Sequence, residues 1–107
     1  MPVELERLVP GLRDWAAARP GIVRLWLYGS RVKVTHRPDS DLDVAFEIDR
    51  LADEAAVLTF QATKAQWVTE LTALTGLCVH LEPSLLPQVR AGIAECGRLV
   101  YERGSSP

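Results

Sequence analysis

Two aspartates one residue apart, Asp41 and Asp43, follow a Gly29-Ser30 pair after ten intervening residues. In an extended strand alternate side chains share a face, so the two carboxylates point the same way about 7 Å apart along the backbone. Hard oxygens grouped in that way suit Mg²⁺, which keeps several waters and takes one or two carboxylates together with substrate phosphate oxygens. A Gly-Ser turn that ends a buried strand and opens into a short helical turn offers backbone N–H groups and a hydroxyl to phosphate. Taken singly, Gly-Ser is a turn and Asp-x-Asp a strand end. Together, at this spacing and between strands, they set a metal site beside a phosphate site.

The elements that must position these residues can be read from periodicity. Val3, Leu5, Leu8, Leu12, Trp15 and Ala16 recur at helical spacing, with Pro10-Gly11 as an interruption, which predicts a kinked helix or two short ones up to Ala18. After a Pro20-Gly21 turn, Ile22 to Tyr28 is a nearly continuous apolar run and reads as a strand buried on both faces. A polar stretch, 31–40, leads to a second strand from Asp41 to Ile48. Asp49 is placed to cap a helix over 51–74, with Asp53 and Glu54 in its first turn and Ala55, Leu58, Ala62, Ala65, Val68 and Leu71 along one face. Gly76 stops that helix. A third strand spans Leu77 to Glu82, Pro83-Ser84 opens a helix to about Glu95, and Arg98 to Tyr101 forms a short last strand. Consecutive strands joined partly by loops and partly by helices predict an α+β domain with a mixed sheet and helices packed on it.

Composition narrows the field. A chain of 107 residues holds one compact domain and is too short for two; residues 1–102 are expected to form it and 103–107 a flexible tail. A net charge of -2 gives no global attraction to a nucleic-acid backbone, so long RNA or DNA is not the expected partner. No segment approaches the apolar length that spans a bilayer and the first residues lack a signal-peptide pattern, so the expectation is a cytoplasmic protein without membrane contact. Cys78 and Cys96, far apart and without metal-ligand spacing, read as buried thiols. Trp15, Trp26 and Trp67 read as core or interface residues.

The stretch Leu27 to Val44, with Gly29-Ser30-Arg31 and Arg37-Pro38-Asp39-Ser40-Asp41-Leu42-Asp43, resembles the core motif of minimal nucleotidyltransferases of the DNA polymerase β superfamily, and the order of helices and strands extends the likeness over nearly the whole chain. The resemblance implies the nucleotidyltransferase fold, with ATP as substrate and Mg²⁺ as cofactor. It implies transfer of AMP to a hydroxyl with release of pyrophosphate. It also implies an antitoxin role for some small members, which adenylylate a tyrosine on a HEPN-domain ribonuclease toxin. On this likeness Asp41 and Asp43 hold the metal, and Gly29, Ser30, Arg31 and Ser40 bind the nucleotide, with Lys33 or Arg37 helping to neutralise phosphate charge.

One position departs from the pattern. Where the family usually carries a third carboxylate on a later strand, this chain reads Val79-His80-Leu81-Glu82. Alternation sends Val79 and Leu81 to one face and Cys78, His80 and Glu82 to the other, so His80 stands where the aspartate is expected. Three readings follow: His80 is the general base, Glu82 reaches back as the third carboxylate, or the site binds nucleotide and barely turns over. Val34 stands where glycine is common, His36 reads as a loop residue, and Glu47, about 13 Å along the strand from Asp43, is too far to join the same ion.

Two functions from different classes therefore compete, beside a third reading in which the chain is a generic α+β domain and the aspartate pair is structural. One is a Mg²⁺-dependent adenylyltransferase, with Asp41, Asp43 and His80 as catalytic residues. The other is a catalytically weak or silent module of the same fold that neutralises a partner by docking, for which the apolar residues on the long helix would supply a surface. A chain this short has no separate acceptor-binding domain, so specificity would reside in a partner protein, a second copy in a homo-oligomer, or the acceptor itself.

Overall fold

In the computed structural model the backbone of residues 3–19, 21–33, 41–49 and 54–104 is described, with side chains from residue 61 onward in the last stretch. The element order is α1 (Val3–Glu6), α2 (Val9–Ala17), β1 (Ile22–Tyr28), α3 (Ser30–Lys33), β2 (Leu42–Ile48), α4 (Glu54–Thr75), β3 (Val79–Pro83), α5 (Pro87–Cys96) and β4 (Arg98–Glu102). The four strands form one mixed sheet in the order β3-β2-β1-β4. β1 is antiparallel to both β2 and β4, and β2 is parallel to β3. The parallel pair needs a long crossover, and α4 supplies it. This is the α+β architecture expected from the element order.

Strand alternation divides the core between the two faces of the sheet. Leu25 and Leu27 of β1, Leu42, Val44 and Phe46 of β2 and Leu81 of β3 pack with Leu5, Leu12, Trp15 and Ala16 of the N-terminal helices and Leu71 of α4. Trp67 of α4 meets both Trp15 and Phe46 edge-on, with ring centroids 5.7 Å and 5.9 Å away. On the other face Tyr28 and Ala45 pack against Val89 of α5, with Trp26, Leu86, Ile93 and Cys96 around them. A register shift between Ile22 and Arg24 turns Ile22 out of the alternation and into the larger cluster. β1, between two neighbours and under helices on both sides, is the buried strand its apolar run predicted.

Several boundaries differ from the sequence reading. Pro10 does not interrupt the first helix; it occupies the first turn of α2, where its missing N–H is no loss, and the break falls at Arg7-Leu8. Val68 and Leu71 turn inward as expected, but Ala62 and Ala65 are exposed, and Trp67 and Thr75 complete the inward face of α4. Asp53 and Pro20 lie outside the described residues, and of Ala55 and Leu58 only the backbone is described. Asp49 gives its carboxylate to Arg103 at 2.7 and 2.8 Å, and residues 50–53 between it and α4 are also outside them. Pro83 ends β3, and Pro87 rather than Pro83 begins α5. Cys78 is exposed and Cys96 half-buried, both free, because Cys78 falls in the bend before β3 and not in the strand. Among the described residues no helix is long and apolar enough to cross a membrane. Of the expected tail, residues 105–107 lie outside them.

Candidate active site

The site forms where the end of β1 meets the start of β2. The antiparallel register sets Tyr28 opposite Asp43, and the parallel register on the other side sets His80 opposite Asp43. Asp43 thus lies between a tyrosine on one strand and a histidine on the other, all three on the α5 face of the sheet. Asp41, one residue before β2, is exposed.

Gly29 closes the site from above for two physical reasons. Its φ of +83° lies in the left-handed region that side chains disfavour, and a Cβ there would stand 2.1 Å from Asp43 Oδ2. The turn therefore runs directly against the carboxylate. Ser30 begins the single turn of α3, whose closing bond runs from the Lys33 N–H to the Gly29 carbonyl at 3.2 Å. The Cys96 thiol approaches the same carbonyl at 3.7 Å and ties the turn to α5.

Electrostatics bear on Asp43 from several directions. Burial pushes its carboxyl above the usual carboxylate range; the contact with His80 opposes that push, and the charge of Asp41 adds to it. His80 Nδ1 lies 3.3 Å from Asp43 Oδ1, and Nε2 lies 3.1 Å from Glu82 Oε1. Lys64 of α4 reaches the same Glu82 oxygen at 3.3 Å. Glu82 is thus held by a histidine and a lysine, two register positions beyond Asp43, opposite Ala45. Burial, followed by the charges of Asp43 and Glu82, pushes the Tyr28 hydroxyl up to about 12.

The sequence-predicted residues fall into three groups. Asp41, Asp43, His80, Gly29 and Ser30 come together. Arg31 is 7% exposed, the one buried charged side chain among the described residues, rather than a solvated loop charge. Lys33 is drawn into an ion pair with Glu95 at 2.8 Å. Ser40, Arg37, Val34 and His36 lie outside the described residues. Glu47 pairs with Arg24 at 2.6 Å, away from the aspartates. With both ring nitrogens of His80 facing carboxylates, a base role would require it to leave one of them. Sequence reasoning does not single out Tyr28, Lys64 or Cys96, because no local pattern marks them. They arrive through strand register and helix packing.

The donor chemistry fits a hard divalent cation. Asp43 is an anion that burial disfavours, with a second carboxylate close enough to raise it further, and a cation beside them relieves both effects. No group of three His, Cys, Asp or Glu donors is gathered for one ion among the described residues. Remaining coordination positions would fall to phosphate oxygens and water, as Mg²⁺ commonly arranges.

Residues 12–106 match the family model described as polymerase beta, nucleotidyltransferase. No curated protein matches the chain. Among solved structures, the chain is similar to one described as a toxin–antitoxin with AMP-PNP, at 19% identity and a TM-score of 0.59, covering 94% of this chain and 73% of that one. It is also similar to a mutant of the toxin–antitoxin MntA–HpeT, at 17% identity and a TM-score of 0.61, covering 92% and 73%. At these identities the two likenesses speak to the fold.

Proposed function

The chain belongs to the polymerase β nucleotidyltransferase family, and from that premise we propose that it transfers AMP from Mg²⁺-bound ATP to a hydroxyl on a protein partner, a tyrosine of a HEPN-type toxin, in an antitoxin role. The observation that carries this reading is the closure of the Gly29 turn onto Asp43, with the missing Cβ making room for the carboxylate. A glycine so placed joins a phosphate-binding turn to a metal-binding aspartate. Two solved structures of similar fold are toxin–antitoxin complexes, one of them with AMP-PNP, which supports both the nucleotide and the kind of partner.

In this reading Asp41 and Asp43 hold the cation and the backbone near Gly29, with Ser30, binds the outer phosphates. The cation supplies charge neutralisation on the triphosphate and polarises it toward attack. What the residues of the chain then do is position the reactants. Asp43, fixed between Tyr28 and His80, orients the α-phosphate toward the acceptor oxygen. A new bond forms from that oxygen to the α-phosphorus, the bond to the bridging oxygen of the β-phosphate breaks, and pyrophosphate leaves. The hydroxyl proton passes to water on the open side of the site, where the His80 ring is 54% exposed.

The test is Mg²⁺-dependent transfer of adenylate label from ATP to proteins of the host lysate and to any HEPN-domain protein encoded beside this chain. Wild type should label one discrete protein, and Asp43→Asn should abolish the label. A specific observation favours a second reading, a silent docking module: Glu82, the carboxylate on the His80 face of β3, is engaged by His80 and Lys64. Partner neutralisation that survives Asp41→Asn with Asp43→Asn, without label in wild type, would select it.

A further inference from the structure

The pairing of His80 with Asp43 has a chemical consequence of its own, which rests on the nucleotidyltransferase reading. We propose that His80 is itself a cation ligand, its Nδ1 and Asp43 Oδ1 together taking a divalent ion of intermediate softness, Mn²⁺ in preference to Mg²⁺.

Separation is the first argument. The two atoms stand 3.3 Å apart. Adjacent ligands about 2.1 Å from one ion stand about 3.0 Å apart in octahedral and about 3.4 Å apart in tetrahedral coordination. The pair is already spaced as neighbouring donors. Parallel register makes the two residues direct cross-strand neighbours, and the Gly29 turn leaves Asp43 little room to move away.

The second argument is orientation. Metal-ligating histidines almost always present their other ring N–H to a carboxylate, which fixes the tautomer and the ring plane. Here Glu82 Oε1 faces Nε2 at 3.1 Å and is itself anchored by Lys64 at 3.3 Å. An Nδ1–H can donate to Asp43 without a cation; an ion bound between the two atoms would hold the proton on Nε2, toward Glu82, and take the lone pairs of both Nδ1 and Oδ1. The ring is half-exposed, so an ion can reach it.

Softness is the third. Carboxylate and water suit Mg²⁺ and Mn²⁺ alike, whereas an imidazole nitrogen moves preference toward the later divalent ions. A third aspartate would keep the site hard. His80 in its place shifts it toward Mn²⁺, with Glu82 as a positioning residue that acts through the ring.

The test is pulsed EPR of Mn²⁺ on uniformly ¹⁵N-labelled protein with unlabelled ATP, so that any ¹⁵N coupling comes from the protein. Wild type should show coupling to one directly bound nitrogen. His80→Asp should lose it while still binding Mn²⁺, and His36→Ala should keep it. Glu82→Gln should weaken Mn²⁺ binding by about 10- to 100-fold. In competition titrations the preference for Mn²⁺ over Mg²⁺ should fall at least about tenfold in His80→Asp. Mn²⁺ bound with ATP but uncoupled to protein nitrogen in wild type would overturn the proposal and leave the carboxylate site intact. Failure of either ion to bind the protein–ATP complex would overturn this proposal and the nucleotidyltransferase reading together.

Discussion

Replacing Gly29 with alanine tests the site where backbone and carboxylate meet. The substitution carries two separable penalties. Holding a Cβ at φ +83° costs about 1–2 kcal/mol. In addition, the new Cβ would stand 2.1 Å from Asp43 Oδ2 and 3.0 Å from its Cγ, so the carboxylate must swing by about 1 Å and loosen its contact with His80; overpacking of this kind costs about 1–3 kcal/mol. In an Asp43→Ala background only the Cβ at 3.2 Å remains near, still a close contact, and the larger part of the second penalty should disappear. Urea denaturation of the four proteins of this cycle should therefore give a total near 2–5 kcal/mol for Gly29→Ala alone and a coupling of about 1–3 kcal/mol. Displacing the carboxylate by about 1 Å should also lower transfer by about a hundredfold, even where the protein stays folded. If Gly29→Ala destabilises equally with and without the Asp43 side chain, the close approach is not what makes glycine necessary.

Other consequences can be measured in the same way. Gly92→Ala, which in an exposed helix would stabilise by about 1 kcal/mol, should instead destabilise, because the new Cβ meets the buried Tyr28 ring at 2.8 Å; chemical denaturation should show the sign reversed, and Tyr28→Ala should restore the gain. Phe46→Ala removes the largest fully buried side chain among the described residues and should cost about 3–5 kcal/mol, with a change in the fluorescence of Trp67 beside it. Glu70 is held below its ordinary range by bonds from Trp15 and Gln66 and then by Arg19, so its contribution to stability is present above the unfolded value of 4.5 and disappears as pH falls through the lower folded value. The stability gap between wild type and Glu70→Gln should accordingly be open at pH 7 and closed at strongly acid pH, as followed by denaturant midpoints.

Much of this molecule is legible along the chain. The apolar run from Ile22 to Tyr28 marks the central strand because only a strand covered on both faces can bury nearly every residue. Asp-x-Asp ten residues past Gly-Ser marks the site because strand alternation and turn chemistry are local properties. Helix boundaries read less well: Pro83 and Pro87 are both able to open a helix, and only the pairing of Pro83 with Phe46 in the sheet decides between them. The inward face of α4 is illegible for a related reason, since its apolar and polar residues are intermixed around the helix and the packing of Trp67 on Trp15 and Phe46 fixes which of them turn inward.

The sequence by itself determines the α+β class, the Gly29-Ser30 turn and the spacing of the aspartate pair, because each depends on residue type and short spacing. The tertiary structure decides what His80 does. Glu82 is its neighbour along the same strand, but Asp43 comes from β2, 37 residues away, and Lys64, which holds Glu82, from α4. Only strand register and the packing of α4 bring them within 3.3 Å of their contacts.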